Sequence, residues 1–164
     1  MKFVKIRTSV PRQELVDMLS DPERTNRNVT FEDKNGTPTF HLKEKGERVS
    51  IRCEYVGGAT KDNGFIDGTK FRGSIKQRGM ETCVSGIITT ALVFHILIAA
   101  LFAFFIYQCI SVGGFNVVPL CLLAFDIFMF YREFKKQGLI KRYIARAVKR
   151  CERENMRSAS ISEK

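Results

Sequence analysis

The sequence predicts an α+β membrane protein. The expected parts are a mostly antiparallel sheet of about six strands with one N-terminal helix, a two-helix transmembrane hairpin, and a C-terminal amphipathic helix. Three observations carry this reading. The stretch from Ala91 to Tyr131 is almost wholly apolar, broken at Gly113-Gly114. Lys and Arg cluster outside both of its ends. Ahead of it, short runs of alternating polarity are separated by turn dipeptides, the pattern of an antiparallel sheet.

The elements follow in order. Lys2 to Thr8 alternates charge with Phe3, Val4 and Ile6, a half-buried strand. Pro11 suits a first helical turn, and Leu15, Val16, Met18 and Leu19 supply an apolar stripe up to Ser20. Residues 21–28 read as a polar loop. Val29 to Asp33 is a short strand before Asn35-Gly36, a strong hairpin dipeptide. Thr39 to Lys43 and Arg48 to Tyr55 flank a turn at Gly46. Residues 57–68 are a glycine-rich connection that lacks the GxxxxGK[ST] pattern of a phosphate loop. Thr69 to Gln77 and Glu81 to Thr90 form a last hairpin around Arg78-Gly79. These elements make up a domain over 1–90.

The apolar stretch reads as a hairpin over 91–137. Its first span, 91–112, has 22 residues, enough at about 1.5 Å each for a hydrocarbon core of about 30 Å. The second, 116–137, gains length through its basic end. The turn from Gly113 to Val118 carries no Lys or Arg, so the positive-inside rule places both termini in the cytoplasm. The expected location is therefore a bacterial inner (plasma) membrane, as a multi-pass protein. Met1 to Val10 has no apolar core of the kind a cleavable signal peptide needs.

Charge is uneven. The net charge is +10; residues 1–82 hold 16 Lys/Arg against 12 Asp/Glu, and residues 132–164 hold 11 against 4. Basic residues next to an apolar helix point to anionic lipid headgroups as partner rather than to nucleic acid. In 138–155, Ile140, Tyr143, Ile144, Ala147, Val148 and Cys151 form one helical stripe with basic residues around it. That helix either lies in the headgroup layer or closes one face of the sheet. The tail, 156–164, is Ser-rich and polar, and disorder is expected there.

The order of strand, helix, antiparallel strands and terminal helix is similar to helix-grip domains, with the hairpin inserted before the last helix. The residues GFIDGTKFRGSIKQRG (64–79), followed by a strand, paired apolar spans and a basic helix, resemble an uncharacterised family of small integral membrane proteins of low-GC Gram-positive bacteria. That resemblance runs from about Phe40 to Cys151. It implies the architecture and brings no activity with it.

Candidate site residues are few. Asp126 is a carboxylate inside an apolar helix, where insertion costs about 2.5–3.5 kcal/mol, so it reads either as an ion-handling group or as an interfacial acid. His95 is the other intramembrane polar residue, but counting from the turn sets it about 12 Å in depth from Asp126, against a relay. Arg132, Lys135, Lys136, Lys141, Arg142 and Arg146 are the expected lipid-headgroup contacts. Cys109 and Cys121 flank the turn, and a disulfide there stays open. No Ser/His/Asp, Cys/His or CxxC arrangement can be assembled, so no catalytic residue, cofactor or metal is expected. The resulting expectation is a non-enzymatic binding or regulatory module tethered to the membrane, with a homo-oligomer or a membrane protein as a further partner. The alternative is a small oligomeric transporter or channel using Asp126, since two spans cannot enclose a pathway alone.

Overall fold

The computed structural model describes residues 1–27, 37–56, 68–90, 92–112 and 117–162. Five strands form one antiparallel sheet: β1 (Lys2–Thr8), β2 (Thr37–Lys45), β3 (Arg48–Val56), β4 (Lys70–Arg78) and β5 (Glu81–Thr89), in the order β1-β5-β4-β3-β2. Two-residue turns close the β2–β3 and β4–β5 hairpins, with Gly46 (φ +59°) and Gly79 (φ +61°) in the left-handed region that glycine enters without a Cβ clash. The first strand pairs with the last, Lys2 with Ile88 through Thr8 with Thr82, which ties the chain's beginning to the entry of its helical part.

One face of the sheet is the core. Alternate residues Val4, Phe40, Val49, Ile51, Phe71, Ile75, Val84 and Ile88 are buried there. Two helices cover this face, α1 (Arg12–Ser20) and the long α4 (Val117–Ser162). From α1 come Leu15, Val16, Met18 and Leu19; from α4 come Ile140, Tyr143, Ile144, Ala147, Val148 and Cys151. The Tyr143 ring stacks on Phe40 at 4.0 Å between centroids, and its hydroxyl donates to the Leu19 carbonyl at 2.8 Å. At the far end of the helix, Thr8 donates to Glu152 at 2.8 Å. Arg12 fastens α1 to the strand ends through the Ile75 and Gly46 carbonyls and Glu44.

Gly73 and Gly86 stand opposite each other on β4 and β5, and the Phe71 ring lies over both. A Cβ on Gly86 would meet the Arg72 carbonyl oxygen and the Phe71 ring at 2.5–2.6 Å. The missing side chains make room for the ring.

The structure corrects the expected fold class. Among the described residues, no helix is long and apolar enough to cross a membrane. The two-helix transmembrane hairpin is therefore overturned, and with it the multi-pass inner-membrane location and the membrane character assigned to the chain. The helix α3 (Leu92–Val112) has 21 residues, and a hairpin needs a second span of similar length beside it. The second span was to gain length through residues 132–137, but Arg132, Glu133, Lys136 and Gln137 are buried against the sheet domain. Only the 15 residues from Val117 to Tyr131, about 22 Å, precede them.

Other differences are local. Residues 22–26 form a short helix, α2 (Pro22–Asn26), where a polar loop was expected. Asp21 caps it by accepting from the Arg24 N–H at 2.9 Å, with proline next in line. Five strands are described where about six were expected; the strand assigned to Val29–Asp33 lies outside the described residues. The amphipathic helix does not start at Gly138, because α4 runs through it unbroken, and helix continues into the tail as far as Ser162.

These glycines differ in surroundings, and substitution separates them. Gly138 has nothing within 4 Å of a Cβ position, so Gly138→Ala is expected to stabilise by about 0.5–1 kcal/mol through helix propensity. Gly86→Ala is expected to destabilise by about 3 kcal/mol through overpacking. Denaturant unfolding of both variants checks the opposite signs; a Gly86→Ala protein as stable as wild type contradicts the packing described.

Candidate functional site: a polar junction beneath an exposed apolar helix pair

The pair α3 and the first half of α4 run antiparallel, as the contact of His95 with Phe130 shows (ring centroids 5.2 Å apart, edge to face). Large apolar side chains on it are exposed: Ile96, Leu97, Phe102 and Ile110 on α3, and Leu120, Phe125, Phe128 and Tyr131 on α4, among others. They are not confined to one stripe. Ile96 and Leu97 are consecutive, as are Ile127 and Phe128, and consecutive helical residues point about 100° apart. An apolar surface of this extent marks an interaction site.

Where α4 leaves this pair and meets the sheet, apolar residues give way to a buried polar cluster. Glu133 accepts from the Thr69 N–H at 2.8 Å, and the Thr69 hydroxyl donates to the Glu133 carbonyl at 2.9 Å. Lys136 pairs with Glu133 at 2.6 Å, and its ammonium sits 5.6 Å from the centre of the Tyr55 ring. The two side chains are only 3% and 8% exposed, so each charge depends on the other in a poorly hydrated site. Gly68 leaves space for the carboxylate: a Cβ there would lie 3.0 Å from Glu133 Oε2. Gln137 is buried beside them, and its Oε1 meets no hydrogen-bond donor among the described residues. On the same side, the Lys2 ammonium lies 5.1 Å from the Phe134 ring centre.

The expected site residues are spread across these features. Asp126 lies within α4, and its side chain is outside the described residues. His95 bonds to the Thr90 hydroxyl at 3.0 Å, at the end of β5, and its ring contact is Phe130. Of the six expected headgroup contacts, Lys135, Lys141 and Arg142 are exposed and Arg146 is half-buried, donating to Asn26 at 3.3 Å. Arg132 and Lys136 are buried. Cys109 and Cys121 are free thiols.

Two titratable groups of the core, Tyr143 and Cys151, are held neutral near pH 7. Burial pushes the Tyr143 phenol up to about 12 and the Cys151 thiol up to about 11. A thiol so raised is a packing group near neutral pH. Among the described residues no group of His, Cys, Asp and Glu is placed to hold a metal ion. Compared with protein-family models, curated proteins and solved structures, the chain matches none.

The open face of the sheet carries a charge pattern that counting by segment hides. The strand registers place Lys5 and Arg7 of β1, Lys43 and Lys45 of β2, Arg48 and Arg52 of β3, and Lys70, Arg72, Lys76 and Arg78 of β4 on this face. Only two strand acids, Glu54 and Glu81, share it. The signal was present in the sequence. In KFRGSIKQR (70–78) the cations alternate with Phe71, Gly73, Ile75 and Gln77.

The junction makes a measurable claim. Lys136→Met, which leaves Glu133 buried without its cation, is expected to cost about 3 kcal/mol of stability. Adding Glu133→Gln should recover part of that loss, because the two charges are coupled. Urea unfolding of the two single variants and the double variant gives the coupling; strictly additive losses contradict a buried pair.

Proposed function

We propose that this chain is a non-enzymatic binding or regulatory module held against an anionic lipid surface by its exposed apolar helix pair. The observation that carries the reading is the distribution of apolar side chains around α3 and the first half of α4. A protein partner seated on one side would leave the other sides in water. A lipid surface takes up apolar side chains without one matched docking face, and it therefore fits the pattern better than a single protein partner. The exposed cations Lys135, Lys141 and Arg142 follow the apolar part of α4, where headgroups would meet them. Each such cation contributes about 1 kcal/mol near an anionic surface. Arg132 and Lys136 belong to the fold instead, since both are buried. The sheet domain then stays in water, tied to the surface through the polar junction.

Vesicle co-flotation after detergent removal tests this. The wild-type protein is expected to float with phosphatidylglycerol-containing vesicles and less completely with pure phosphatidylcholine. Reversing Lys135, Lys141 and Arg142 to Glu should abolish the preference for anionic vesicles while retaining the fold. A protein that stays out of both vesicle types as a stable dimer, with the apolar pair covered by a second copy, contradicts the reading.

A further inference from the structure

We propose that the open face of the sheet binds single-stranded nucleic acid, along a trough whose floor is β5 and whose walls are the cations of β1 and β4. The registers define the trough. Arg7 stands across Cys83 from Lys76, and Phe3 stands across Ile87 from Arg72. Between these rows, Lys5 faces Ser85 and Ser74. Neighbouring strands are about 4.8 Å apart, so the two cationic walls stand about 10 Å from each other over a neutral floor. A depression of about 500 Å³ lies there, with Lys5, Arg7, Lys76 and Arg78 at its sides and Glu81 at one end. That width suits one extended phosphate chain.

Charge complementarity names a polyanion, and Phe3 narrows the class. Its ring is 74% exposed at the other end of the trough, among cations, where a core residue would not be. An exposed ring beside a cationic groove is the arrangement that lets a base stack while its phosphates are neutralised. Geometry argues against a lipid surface on this face. α4 runs along the strands, from Glu133 at the start of β4 to Glu152 at the end of β1, so the apolar pair leaves from one end of the sheet. A surface that takes up the pair meets that end, which is also the end that holds Phe3, while the rest of the open face, with Lys5, Arg7, Lys76 and Arg78, looks sideways into water. The inference therefore goes beyond the lipid reading and does not depend on it.

The test uses the full-length protein in neutral detergent micelles and a fluorescein-labelled 12-nucleotide oligouridylate, followed by anisotropy across a salt series. With four or five phosphates neutralised, the slope of log affinity against log salt is expected near −3, at about −0.7 per phosphate. Arg72→Gln with Lys76→Gln should weaken binding at least tenfold and flatten the slope by about 1.4. Phe3→Ala should weaken it by about tenfold with the slope unchanged, as loss of stacking requires. Lys141→Gln with Arg142→Gln, on α4, should leave both quantities as in wild type. In the unmodified protein, the oligonucleotide should also slow alkylation of Cys83, read peptide by peptide. The proposal is overturned if the α4 variant loses as much as the trough variant, or if Phe3→Ala binds like wild type. It is equally overturned if polyglutamate or anionic vesicles displace the oligonucleotide at equal charge.

Discussion

The continuity of α4 is the constraint on which the rest of this structure depends. A single helix of 46 residues forms half of an apolar pair at its start and the cover of a sheet at its end. Its side chains must therefore change character at one place, and they do so within about two turns. Tyr131 is exposed with the apolar pair, Arg132, Glu133, Lys136 and Gln137 form the buried polar cluster, and Ile140 begins the core stripe. Because a helix is rigid over this length, fixing Glu133 on Thr69 and Tyr143 on Phe40 also fixes where the apolar pair projects.

The sheet answers this constraint from the other side. Its core face is shaped to accept a helix: Gly73 and Gly86 give up side chains so that Phe71 can lie flat, and Phe40 offers a ring to Tyr143. The β1–β5 pairing places Thr8 under Glu152, and α1 and α2 reach the same helix through Glu14 to Asn155 and Arg24 to Glu154. With one face used in this way, the opposite face is left to charge. The segregation of ten cations there follows from strand alternation, and it gives the domain two surfaces of unlike chemistry, one apolar at its end and one cationic on its side.

Much of this was legible in the sequence wherever a local rule decides. The period-2 runs and the glycine turns at 46 and 79 located four of the strands about where they stand, and β1 as well. The stripe from Ile140 to Cys151 identified the helix face that is buried. What local rules could not reach is tertiary. Glu133 and Lys136 look like interfacial charges after an apolar run, and only the fold brings Thr69 and Tyr55 to them. The same packing takes Arg132 to Gln137 out of the second expected span, so the transmembrane reading counted residues that the sheet domain uses. Gly138 misled in the other direction: a lone glycine reads as a boundary, yet the packing on either side carries the helix through it. The short helix at Pro22 was within reach, since Asp21 and Pro22 are a cap and a first-turn residue.

Amide hydrogen exchange across residues 128–146, in the full-length protein, tests the central claim most directly. A continuous α4 predicts one block of slow exchange from the apolar pair through Gln137, Gly138 and Leu139 into the core stripe, with no step in rate at Gly138. Fast exchange confined to 137–139, between two separately protected segments, would contradict it: the apolar pair and the sheet cover would then be two helices joined by a hinge, and the junction would no longer fix one to the other.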